Sequence, residues 1–203
     1  MTWSRRFRIG VLMAAAAAAF AVSATLWLPA LLIAPAGSGR ADAAILLVGN
    51  APPGPGRDLV LSRYRSGAIR YVACASAPTY VGIYPADASC RELGDLGVPP
   101  DRRLIVHLPQ TECGREKLPT LIALARGQGW RSVQLVVSPE GSRATRRLAT
   151  RDFAGAGIEA WVTYAEPDRA DLVNGWWRTH RKAQRMIGAA LGNGLDLFYR
   201  QCQ

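Results

Sequence analysis

Ala43-Ala44-Ile45-Leu46-Leu47-Val48-Gly49 is an unbroken apolar run that ends on a glycine. Side chains of a strand alternate between two faces, so a strand apolar throughout has both faces covered. The run therefore predicts a strand inside a parallel sheet. Similar runs recur outward from it, at Ile69 to Ala75, Leu104 to His107, Val133 to Val137 and Ile158 to Thr163. Helical patterns lie between them: Arg57 to Ser66, Ser89 to Gly97, Thr111 to about Arg126, and Gly141 to Ala154. Pro119 falls inside the third of these, so that helix is kinked or starts there. A last long helix is expected from Asp171 to Gln201, with Trp177, Ala183, Ile187, Ala190, Leu191 and Phe198 on one face. Strands alternating with helices predict a doubly wound, Rossmann-like α/β fold. Its five-stranded parallel sheet carries helices on both faces, joined by right-handed crossovers.

In such sheets the ligand crevice lies outside the carboxyl ends of the strands. Five loops reach that edge: 49–57, 75–88, 107–115, 138–146 and 163–176. The first contains the low-complexity stretch Ala51-Pro52-Pro53-Gly54-Pro55-Gly56 and leads into a helix N-terminus, where free N–H groups favour an anion. Gly49, Asn50 and Arg57 are candidate ligand contacts there; a solvated Pro/Gly turn is the plainer alternative. The stretch is neither a Walker A loop nor G-x-G-x-x-G. Ser138, Ser142 and Arg143 form a second candidate group, with both serines able to cap the next helix. Arg143, Arg147 and Arg151 share one helix face. Thr111 and Glu112 are a third group, readable as a helix cap or as a hydroxyl-binding acid. Ser76 ends the second strand at the same edge. His107 reaches that edge too, and reads more simply as a satisfied structural histidine. No catalytic residue is assigned. Neither histidine stands near a cysteine, so no metal site is expected, and no cofactor motif is present.

Before the domain, no charged residue occurs from Ile9 to Ala36. That exceeds the ~20 apolar residues a membrane-crossing helix needs and the 7–15-residue core of a cleaved signal. Arg5, Arg6 and Arg8 precede it, which predicts a cytoplasmic N-terminus and a domain outside. Pro29 is expected to end or kink the helix. The boundary is therefore drawn with a cytoplasmic tip and transmembrane anchor at 1–40 and an α/β domain at 41–203. Ala34-Pro35-Ala36 has the small-x-small form of a signal peptidase site, so cleavage after Ala36 stands as the alternative. Residues beyond 36 carry 22 basic and 15 acidic side chains, net +7, and only Lys117 and Lys182 are lysines. Such a domain suits membrane lipid or an anionic ligand, and its side of the membrane disfavours nucleic acid. The four cysteines are Cys74, Cys90, Cys113 and Cys202. Outside the cytoplasm disulfides are expected, first Cys74–Cys90, then Cys90–Cys113, with Cys202 free or paired between molecules.

From Ala41 to Arg200 the order of motifs resembles the DUF218 family, the YdcF/SanA/ElyC-like envelope proteins. The resemblance rests on Asp42 to Gly49, on Arg57 with Leu61, Tyr64 and Gly67-Ala68, and on Leu96-Gly97-Val98-Pro99-Pro100-Asp101-Arg102. Gln110-Thr111-Glu112 and Val136-Val137-Ser138-Pro139 with Arg143 continue it, as does Trp176-Trp177-Arg178. The chain departs where the family commonly has a histidine after the fourth strand; Gly141 is the nearest position here. The resemblance implies a divergent, single-pass protein of a bacterial inner membrane with a periplasmic domain. It also implies a role in cell-envelope integrity, through binding of a phosphorylated or lipid-linked envelope precursor. A transferase or hydrolase acting on a phosphate-containing precursor is the alternative, supported if Glu112, Ser138 and Arg143 converge.

Overall fold

The computed structural model describes residues 5–48, 54–110 and 117–198, without the side chains at 5–9, 17–18, 20–22, 24–26, 167–168 and 192–198. Five strands, β1 (Ala41–Leu47), β2 (Ile69–Ser76), β3 (Arg103–His107), β4 (Ser132–Val136) and β5 (Glu159–Thr163), form one sheet. All neighbours pair in parallel, in the order β3-β2-β1-β4-β5. This is the doubly wound order, with the chain reversing direction across the sheet between β1 and β4.

Alternation along each strand divides the interior. Ala43, Ile45, Ala73, Ala75, Val133 and Leu135 face α4 (Lys117–Gly127) and α5 (Ser142–Gly155), where Leu121 and Phe153 are fully buried. Ala44, Leu46, Val72 and Cys74 face α2 (Pro55–Arg65) and α3 (Pro85–Asp95), meeting Val60, Cys90 and Leu93. Each such fully buried large side chain contributes about 1.5–3 kcal/mol. Alanines on both central strands let the helices approach closely. Pro119 is the third described residue of α4. The helix does not begin at it, since Lys117 and Leu118 are already helical.

Cys74 and Cys90 face each other across the α3 side of the sheet, but as thiols; the expected disulfide is absent among the described residues. The Cys90 thiol donates to the Leu104 carbonyl at 3.3 Å. The Cys74 thiol is pushed well above its usual range by its hydrogen bond to Cys90 and by burial, while that same bond lowers Cys90. Cys113 and Cys202 lie outside the described residues, and so does the Cys90–Cys113 alternative.

The expected long final helix is three pieces: α6 (Glu166–Val173), a 3-10 turn (Trp176–Arg178) and α7 (His180–Phe198). The break falls at Asn174-Gly175, and it lets Trp176 turn inward onto Leu172, Met186 and Leu32. Helical periodicity could not register this, because Trp176 is claimed by a tertiary cluster rather than by the helix stripe.

The N-terminal segment is one 28-residue helix, α1 (Arg5–Leu32), about 42 Å long. Pro29 lies inside it without ending it, and the Pro29 carbonyl still accepts the Ile33 N–H at 2.8 Å. Val11, Leu12 and Met13 are exposed, whereas Leu28 and Leu32 pack against α7. Among the described residues no helix is long and apolar enough to cross a membrane.

After α1 the chain passes along the free edge of β5, where the Gly37 N–H donates to the Val162 carbonyl at 2.8 Å. Gly37 lies against Trp161 so closely that a Cβ would sit 2.7 Å from its ring. The connector thus covers an edge that would otherwise present unpaired backbone. It delivers Asp42 to the opposite, amino edge. The Asp42 carboxylate accepts the Arg131 and Ser132 N–H groups at 2.8 and 3.1 Å and the Ser132 hydroxyl at 3.2 Å. Burial raises its pKa, but these donors and Arg70 outweigh it and hold the carboxyl below its ordinary 3.8. A depressed folded-state pKa gives stability that is present above the ordinary value and lost as pH falls through the folded one. Asp42→Asn should therefore cost about 1–3 kcal/mol at neutral pH. In urea titrations the gap from wild type should close as pH falls from about 5 to about 2. A gap independent of pH would assign the effect to packing.

Candidate functional site

The carboxyl edge carries a cavity of about 310 Å³ lined by Val48, Ala77, Pro78, Thr79, Tyr80, Gln110 and Lys117. Val48 is the residue after β1; 77–80 follow β2, Gln110 follows β3, and Lys117 opens α4. The cavity therefore lies over the carboxyl ends of β1, β2 and β3, where a parallel sheet splays its loops. Among the described residues no carboxylate pairs with the Lys117 ammonium. A lysine beside threonine, glutamine and tyrosine offers one cation and several hydrogen-bonding groups, a chemistry suited to an anionic, oxygen-rich ligand.

The loop 77–84 is a tight turn. The Thr79 N–H donates to the Ile83 carbonyl at 2.8 Å, and the Gly82 N–H to the Thr79 carbonyl at 2.9 Å. The Thr79 hydroxyl accepts the Ile83 N–H at 3.3 Å. Gly82, at φ +75°, supplies the left-handed residue this turn needs. Beside it the His107 ring stacks on Tyr84, centroids 3.9 Å apart, and its Nε2 lies 2.7 Å from Asp87 Oδ1. His107 thus clasps the end of β3 to the first turn of α3.

Of the expected ligand residues, Ser76, Arg57, Ser138, Ser142 and Arg143 are described and are not among the residues that line this cavity. Ser76 is buried, and its hydroxyl accepts the Ala86 N–H at 3.0 Å, capping α3 from a distance. Arg57 is held by Asp58 and by Glu92, at 2.9 Å each. Those bonds raise its pKa and occupy the guanidinium face expected to meet an anion. Ser142 is fully buried and caps nothing: its hydroxyl donates to the Pro139 carbonyl at 2.6 Å and accepts the Ala34 N–H at 2.9 Å. Arg143 donates to the Ile33 carbonyl at 3.1 Å. Ser138 is exposed and makes no capping bond. Of the other arginines on that helix, Arg151 pairs with Asp152 and Arg146 reaches the Pro35 carbonyl. Gly49, Asn50, Thr111 and Glu112 lie outside the described residues.

Ser142 and Arg143 of the β4–α5 group are thus taken up by other contacts. The β4–α5 group holds the connector, with Tyr164 completing the grip by donating to the Ala34 carbonyl at 2.8 Å. Glu140, in the 3-10 turn after β4, is buried against Arg185 of α7, with Oε1 2.7 Å from Nη2 and Oε2 without a partner. The polar lining of the cavity among the described residues is Thr79, Tyr80, Gln110 and Lys117. The first three lie in loops the carboxyl-edge rule had marked; Lys117 stands just past the third loop and carried no motif to single it out. Strand order and edge cavity together define the class: a Rossmann-like α/β domain with a cavity at its carboxyl edge. No family model matches the chain, and no curated protein matches it.

Proposed function

We propose that this chain is a membrane-anchored envelope protein of DUF218-like kind whose carboxyl-edge cavity binds a phosphorylated or lipid-linked envelope precursor. The observation that carries the reading is the Lys117 cavity, on the same edge of the sheet at which α1 joins the domain. The anchor reading draws on the charge-free run from Ile9 to Ala36, the arginines before it and the exposed apolar residues of α1. Retention of α1 draws support from the grip on Ile33 and Ala34. Cleavage after Ala36 would free those two residues with the helix and remove the donor that the hydroxyl of fully buried Ser142 accepts. The binding reading is preferred to the transferase or hydrolase because Arg143 is turned to the connector rather than to a reacting group.

The test is mass spectrometry of lipids that co-purify with the detergent-extracted full chain. Polyprenyl phosphate should accompany wild type. Lys117→Ala should lower its yield by about tenfold, the scale of one charge-assisted contact. Arg57→Ala should leave the yield within about twofold, since its charge is already met by two carboxylates. Absence of phosphorylated lipid from wild type, or equal yields from Lys117→Ala, overturns the reading.

A further inference from the structure

We propose that the carboxyl edge of the sheet lies against the bilayer, with the turn at Tyr80-Val81-Gly82-Ile83 seated in the lipid interface. This rests on the anchor reading and adds an orientation to it. Three large apolar side chains crowd one turn and are bare: Tyr80 is 97% exposed, Val81 77% and Ile83 64%. They are not there for want of a core, since both faces of the sheet are already filled. The turn is held by its own hydrogen bonds, so little ordering is needed when it meets a partner.

The place where α1 joins the domain identifies that partner. Ala34, two residues past α1, is bonded to Ser142 and Tyr164, which follow β4 and β5 at their carboxyl ends. The bare turn follows β2 at its carboxyl end. Helix and turn therefore share one edge but stand over different strands, with β1 between β2 and β4. Neighbouring strands lie about 4.8 Å apart, so the two attachments are separated by roughly 10–20 Å across the sheet. A helix alone would leave the domain free to swing. A second contact at the other side of the same edge holds that edge to the membrane plane. Tyr80 suits the interface, with an apolar ring and a polar hydroxyl. Tyr80 also lines the Lys117 cavity, so the cavity mouth would lie at headgroup depth. A lipid-linked ligand would reach it without leaving the bilayer.

The experiment uses the full chain in nanodiscs of phosphatidylcholine and phosphatidylglycerol, with Cys113 and Cys202 replaced by serine. Spin labels are placed singly by Val81→Cys, Leu12→Cys and Arg131→Cys, the last at the amino edge. Accessibility to oxygen is compared with accessibility to a water-soluble nickel chelate. Labels at 12 and 81 should both favour oxygen, and the label at 131 should favour the chelate. If 12 favours oxygen and 81 favours the chelate, the orientation is wrong and the anchor stands. A label at 81 shielded from both reagents also overturns the proposal, in favour of a protein partner. A chelate-accessible label at 12 removes the anchor and this inference together.

Discussion

Replacing Arg185 by alanine should destabilise the domain by about 2–4 kcal/mol, more than replacing its partner Glu140 by alanine. Glu140 is 7% exposed, and both guanidinium contacts fall on its Oε1, while Oε2 already lacks a partner. Removing Arg185 leaves a desolvated carboxylate with neither oxygen paired. Removing Glu140 instead leaves a guanidinium that is partly exposed and stays hydrated. That loss should stay near 1–2 kcal/mol. Replacing both by leucine should fall close to wild type, because neither charge is then stranded. Urea unfolding of the full chain measures all three. Equal losses in the two single variants would show that Glu140 is hydrated in solution and that the pair does not hold α7 to the carboxyl edge.

Ser142→Ala should cost about 2–3 kcal/mol and should act first on the connector. The hydroxyl both donates and accepts inside the core, so its loss strands the Ala34 N–H and frees the Pro139 carbonyl. Ala34 is 3% exposed, which denies water as a substitute. Arg143 and Tyr164 grip the neighbouring carbonyls and would carry the connector alone. Amide hydrogen exchange should therefore rise at Ala34 and Gly37 while Ile45 and Leu135 in the central strands keep their protection. Uniform loss of protection across the sheet would instead make Ser142 a core residue with no special tie to the connector.

These two variants probe the features that periodicity could not reveal. Ser142 and Arg143 read as crevice residues because they follow the fourth strand at a helix start, where an anion is expected. Nothing in their spacing discloses that residues 33 and 34, more than a hundred positions earlier, return to take the same hydrogen bonds. Glu140 and Arg185 are 45 positions apart on different elements. Lys117 was one lysine among many basic residues until two loops brought Thr79, Tyr80 and Gln110 around it.

The parallel sheet was legible from local sequence alone. A strand covered on both faces is apolar at most positions, with fully buried Gln134 of β4 an exception, and the five largely apolar runs fall within one or two residues of the five strands. The helices between them followed from 3.6-residue spacing, and the right-handed crossover rule leaves few ways to join them. The continuous helix at the N-terminus was legible for the same reason, since its signal is carried by consecutive residues. Cysteine pairing, the break at Gly175 and the membership of the cavity depended on the tertiary structure. Each depends on which distant groups compete for one donor, one acceptor or one buried volume, and that competition is settled only when the layers close.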